Sequence, residues 1–125
     1  MSHLSIEEII PKYGATHLIC DSAYPLIINS TLEEEAILYN LPQEVVAKLC
    51  AMFADLTGKE IKPVSDIAAL SGGQKVVLMT LLALLSSAER IVFVNLPLAL
   101  DKERSVAVSA LIEQFKPLKA SILLV

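Results

Sequence analysis

Val45, Val46, Leu49, Met52, Phe53 and Leu56 recur at helical spacing, which predicts a helix with one buried face. Pro42 suits the first position of that helix, and Gly58 suits its end. Two earlier stretches, Ser5-Ile-Glu-Glu8 and Thr31-Leu-Glu-Glu34, fit a capping box and predict short helices. Pro11 and Gly14 should end the first, and the second should run to about Tyr39. Thr16 to Cys20 reads as a short buried strand carrying His17, and Asp21 to Ser30, with Pro25 and Asn29, as a loop. Lys59 to Ala69 is polar at first, contains Pro63 and reads as a second loop.

Ser71 is a candidate N-cap for a helix through about Ser87. Val76 to Leu85 is apolar on nearly every face, and a helix hydrophobic all round is buried all round. Two readings stay open: a partner or second copy covers this helix, or the chain's own strands and helices do. Arg90 to Asn95 reads as a buried strand closed by Pro97. Asp101 caps a helix to about Phe115, Pro117 follows it, and Ser121 to Val125 is a last strand. Fully apolar strands followed by helices predict an α/β fold with a partial parallel sheet. The three helices between the first and second strands exceed a simple crossover and predict an inserted helical subdomain.

Composition narrows this picture. The 125 residues fit one domain, and a 54% hydrophobic content with 5% aromatics and no Trp requires an aliphatic core. A formal net charge of -4 without a basic run argues against a nucleic-acid surface. Cys20 and Cys50 sit in apolar stretches and read as buried thiols of a reducing compartment rather than a disulfide. Met1 to Glu8 lacks the basic and apolar regions of a secretory signal. The run from Val76 to Ala88 is too short for a bilayer, which needs about 20 residues.

The candidate chemistry begins at Leu70-Ser71-Gly72-Gly73-Gln74, which opens the apolar helix, and continues at Ala99-Leu100-Asp101. A phosphate-binding loop of the form G-x-x-x-x-G-K-[ST] is missing. The four glycines are Gly14, Gly58, Gly72 and Gly73, and Gly58-Lys59 has neither the earlier Gly nor the following Ser or Thr. With this pattern, residues from about Ile6 to Val125 resemble the C-terminal, signature half of an ABC transporter nucleotide-binding domain, degenerate and lacking the Walker A region. The resemblance implies a single incomplete P-loop NTPase-like domain over 1–125. Residues 1–30 would hold the first strand and a Q-loop-like region, 31–87 the helical subdomain with the signature motif, and 88–125 the Walker B-like strand, D-loop-like turn, helix and final strand.

In that family the signature residues face the γ-phosphate held by the partner subunit's phosphate loop. The resemblance implies that Ser71, Gly72, Gly73 and Gln74 contact ATP in trans, with Asp101 in the D-loop-like turn. The physical basis is a helix N-terminus that offers N–H groups and a positive dipole end to an anion. The alternative is an N-cap and tight turn kept only as structure.

Other family elements depart from the pattern. Counting back from Thr31 puts Asp21 where the family carries a metal-contacting Gln; alone, such an Asp more often caps a loop. The Walker B strand should end Asp-Glu-Pro, but here the residues are Val94-Asn95-Leu96-Pro97. Spacing from the signature puts Val94 at the Asp and Asn95 at the Glu; aligning Pro97 puts Asn95 and Leu96 there. In either register both carboxylates are gone, so general-base catalysis is lost and a metal loses its anionic anchor. The family's switch-loop His would follow Val125, and neither His3 nor His17 can replace it. Glu33-Glu34-Glu35 reads as a helix first turn that complements the dipole.

These readings predict a cytoplasmic, degenerate ABC-type ATP-binding subunit or fragment with no ATPase activity alone and no catalytic or metal-binding residues. It would bind ATP only with a partner, and Mg²⁺ is not expected from this chain alone. The partner would be a complete ABC ATPase subunit or a second copy, with indirect membrane association through a transporter and no nucleic acid. A different class remains open: a non-nucleotide interaction module or homo-oligomer built on an inherited ABC scaffold. The chain can also be a piece of a longer ATPase.

Overall fold

A computed structural model describes residues 6–27 and 30–125 of the chain. His3, the predicted cap Ser5 and Asn29 lie outside the described residues. The first helix, α1 (Ile6–Tyr13), passes through Pro11 instead of ending there and stops only before Gly14. Tyr13 then closes a turn by accepting from the N–H groups of Thr16 at 3.0 Å and His17 at 2.9 Å. Those donors are spent in the turn, so β1 (Leu18–Asp21) starts two residues later than the apolar run suggests. His17 stays outside the strand, with its ring edge-on to Tyr13 at 5.2 Å and Nδ1 2.6 Å from Thr16 Oγ1.

Thr31 caps α2 (Leu32–Leu38), accepting from the Glu34 N–H. The N–H groups of Leu32 and Glu33 go instead to the carbonyls of Ser65 at 3.1 Å and Pro63 at 2.8 Å. The segment expected to be a plain loop therefore completes a helix N-terminus, and it buries Ile61 and Ile67 in doing so. Pro42 is the N-cap of α3 (Gln43–Thr57), with ψ 159°, rather than its first helical residue. The helix ends at Gly58, whose φ of 74° strains any residue with a Cβ. Of the predicted face, Val46, Leu49 and Phe53 are fully buried.

Ser71 caps α4 (Gly72–Leu85), which ends at Ser86. Every residue from Val76 to Leu84 is buried within this one chain. The chain's own elements cover the helix, which removes the reason to invoke a partner for it. Thr80, buried in mid-helix, satisfies its hydroxyl by donating to the Val76 carbonyl at 2.9 Å. The strand β2 (Arg90–Val94), the helix α5 (Lys102–Phe115) and the strand β3 (Ser121–Leu124) complete the chain. Lys119 ties the turn after α4 to the approach of β3 by donating to the carbonyls of Ser86 at 3.0 Å and Ala88 at 2.5 Å.

The three strands form one parallel sheet in the order β1-β2-β3. Leu18 pairs with Ile91, and Arg90 with Ser121. Side chains alternate across it, so Cys20, Ile91, Phe93 and Ile122 join the large core with α3, α4 and α5. Val92 and Val94 face the other way, against Ile9 of α1. The chain is thus an α/β fold in which α2, α3 and α4 are inserted between β1 and β2. Among the described residues no helix is long and apolar enough to cross a membrane.

Candidate functional site

The turn that opens α4 is built by its own side chains. Ser71 Oγ accepts from the Gln74 N–H at 3.2 Å, and Gln74 Oε1 accepts from the Ser71 N–H at 2.9 Å. This reciprocal pair fixes the first turn and leaves the N–H groups of Gly72 and Gly73 as unspent first-turn donors. Leu70, 6% exposed, anchors the turn from below. Ser71 and Gly72 are exposed, and nothing lies within 4 Å of where a Cβ on Gly72 would stand. The Ser71 hydroxyl accepts one hydrogen bond and still carries a proton to donate. Gln74 is half-buried, and its carbonyl oxygen is committed to the cap.

Gly73 brings the second motif to the first. A Cβ there would lie 3.3 Å from Arg104 Nη1 and 3.9 Å from the Ala99 carbonyl oxygen. The start of α5 thus lies beside the turn, and a Cβ at Gly73 would need only a small shift of the flexible Arg104 side chain. Asp101, exposed, caps α5 by accepting from the Arg104 N–H at 2.8 Å. Beside it a cavity of about 440 Å³ opens between Asp55–Gly58 and Asp101, Glu103, Arg104 and Ala107. The sequence motifs gave no sign of Arg104; only its position three residues after the Asp101 cap places it on the first turn of α5.

The carboxyl ends of β1 and β2 form a separate place. Asp21 Oδ1 accepts from the Ala23 N–H at 3.0 Å, so this side chain caps its own loop. Ser22 donates its N–H to the Val94 carbonyl at 3.1 Å. Val94 is 1% exposed and packs with Ile9 and Val92, away from this edge. Asn95 follows in a left-handed conformation, φ 57°, which ends the strand one residue earlier than expected. Ser22 Oγ and Asn95 Oδ1 are both buried without a hydrogen bond among the described residues, and both residues line an open cavity of about 170 Å³ with Ala23, Leu98 and Ala99. The Mg²⁺ that the sequence resemblance associates with this strand end does not fit here. The residues lining the cavity offer an amide and a hydroxyl in place of carboxylates, and no cluster of three His, Cys, Asp or Glu side chains among the described residues can hold a metal.

The acidic run also divides. Glu34 accepts from the hydroxyls of Ser30 at 2.7 Å and Thr31 at 2.9 Å, which hold its carboxyl below the usual range. Glu35 is fully buried, and its carboxylate accepts the Ile27 N–H at 3.0 Å, fastening the loop after β1 to α2. It is therefore more than a first-turn charge. Both cysteines are free thiols, and burial pushes Cys20 up to about 12.

No family model matches this chain, and no curated protein matches it. Solved structures do. An ATP-binding subunit of an ABC transporter superimposes with a TM-score of 0.65 at 20% identity, over 92% of this chain and 51% of that one. cbiO1 from Clostridium perfringens, part of the ABC transporter complex cbiONQ, superimposes with a TM-score of 0.59 at 19% identity, over 96% of this chain and 50% of that one. The chain spans about half the length of these neighbours and has the fold of ABC transporter ATP-binding subunits.

Proposed function

We propose that this chain is a degenerate ABC-type ATP-binding subunit, or a fragment of one, that presents Ser71, Gly72, Gly73 and Gln74 to ATP held by a partner. The observation that supports this most is the exposed, pre-formed turn at Ser71 and Gly72, open to an approaching anion and fixed from behind by its own cap. Asp101 holds the adjoining D-loop-like turn in register through its bond to Arg104. Residues 1–125 act as one incomplete ABC ATPase-like domain, with 31–87 as its helical subdomain. The chain does not hydrolyse ATP alone and brings no Mg²⁺ site, because its sequence lacks a phosphate loop and Val94, Asn95 and Leu96 supply no carboxylate. The partner is a complete ABC ATPase subunit, the setting is cytoplasmic, and any membrane association is indirect, through a transporter.

The test is the ATPase rate of such a partner with and without this chain. Ser71→Arg places a bulky side chain at the turn and should abolish the stimulation while circular dichroism shows the helix content intact. Stimulation that survives this change refutes the trans contact.

A second reading, an interaction module or homo-oligomer without nucleotide, draws on one observation. Ala36, Ile37, Leu41, Val46 and Pro63, with Glu33 and Gln43, line a mostly apolar groove of about 340 Å³ beside the exposed Val64. Light scattering separates the two readings: complexes of the module form equally with and without MgATP.

A further inference from the structure

We propose that the cavity between Ser22 and Asn95, at the carboxyl edge of the sheet, binds a primary amide group. This inference stands apart from the nucleotide reading and needs no partner subunit. Ser22 is 8% exposed, and its Oγ has no hydrogen bond among the described residues; Asn95 Oδ1, also buried, has none either. Two such atoms lining one small depression favour a ligand that satisfies both, because a buried polar atom left unpaired is destabilising. The depression of about 170 Å³ is open to solvent along a rim that includes the exposed Ala23 and Leu98, and Ala23, Leu98 and Ala99 make the rest of its lining apolar. Its occupant therefore combines a hydrogen-bonding head with a short apolar stem.

No ionisable side chain lines the depression, so a charged head would find no counter-charge there. A primary amide carries a donor and an acceptor on one carbon. It pairs with the Asn95 amide whichever way that amide is turned and leaves a group for the Ser22 hydroxyl. Parallel sheets commonly place ligands at this edge. The amide can belong to a free small molecule or to an Asn or Gln side chain of another protein.

Amide-resolved NMR titration of the full chain tests this with propionamide, with N-acetyl-glutamine methylamide, and with propionate and propylammonium as charged counterparts. Saturable shifts at Ser22, Ala23, Asn95 and Ala99 with the two amides alone support the site, and the tighter of the two identifies the source. Asn95→Gly keeps the left-handed backbone and removes the amide, so affinity should fall at least about tenfold, as for one lost hydrogen bond. Ser22→Ala, which leaves the backbone bond to Val94 intact, should weaken binding in the same direction. Equal shifts with propionate or propylammonium, no saturation, or full affinity in both variants would overturn the proposal. So would selective broadening of Ser22 and Asn95 by Mn²⁺ alone.

Discussion

Cys20 in β1 and Tyr39 at the end of α2 are both raised by burial. Burial raises the Cys20 thiol from 9.0 to about 12, and burial with the nearby Cys20 and Glu35 charges raises the Tyr39 hydroxyl as well. Both groups are neutral when protonated, so the folded chain keeps protons that the unfolded chain releases. Their contribution is complete below pH 9 and falls as pH rises towards 12. Urea unfolding should show stability dropping across that window, with Cys20 contributing up to about 1.4 kcal/mol per pH unit. Cys20→Ala should flatten this slope whatever it does to stability at pH 7, and an unchanged slope would show that the thiol titrates freely in the fold. At this scale the sequence was uneven in what it disclosed. Ser71, Asp101 and Thr31 were legible as caps because a cap is written in neighbouring residues. Glu35, Arg104 and Ser22 were not, because each matters through a residue far away in sequence or through a cavity shared with one.

Helix α4 holds the elements together. It lies against α3, β1 and α5 and buries a continuous run from Val76 to Leu84. Leu82→Ala, at a fully buried position, should cost about 2–5 kcal/mol in urea unfolding, from lost transfer energy and the space left behind. Ser71→Gly, at the exposed end of the same helix, should cost only a few tenths of a kcal/mol. A similar cost for both would mean that the turn at Ser71 holds the core, contrary to its exposure. The element order and the parallel class of the sheet were legible because apolar runs, caps and Gly or Pro stops alternate plainly along the chain. The exact ends of β1 and β2 were not. Tyr13 captures the N–H groups that would have extended β1, and the left-handed turn at Asn95 truncates β2.

For the whole molecule, the question posed by so apolar a chain was whether it needs a partner to be folded. The core is closed within one copy, on one sheet face by α4 and α5 and on the other by α1. The 125-residue chain should therefore sediment as a monomer, with a thermal midpoint independent of protein concentration across about two decades. A midpoint that climbs with concentration would mean that a second copy completes the core. By itself the sequence determined the helix caps, the presence of the strands, the α/β class and the absence of a carboxylate from Val94 to Leu96, since each follows from residue identity or short-range spacing. Only the tertiary structure decided that α4 is covered from within, that the start of α5 lies beside the turn at Gly73, and that Ser22 and Asn95 share a cavity. Those facts depend on which distant surfaces the sheet brings within a few ångströms, and periodicity along a chain carries no record of such distances.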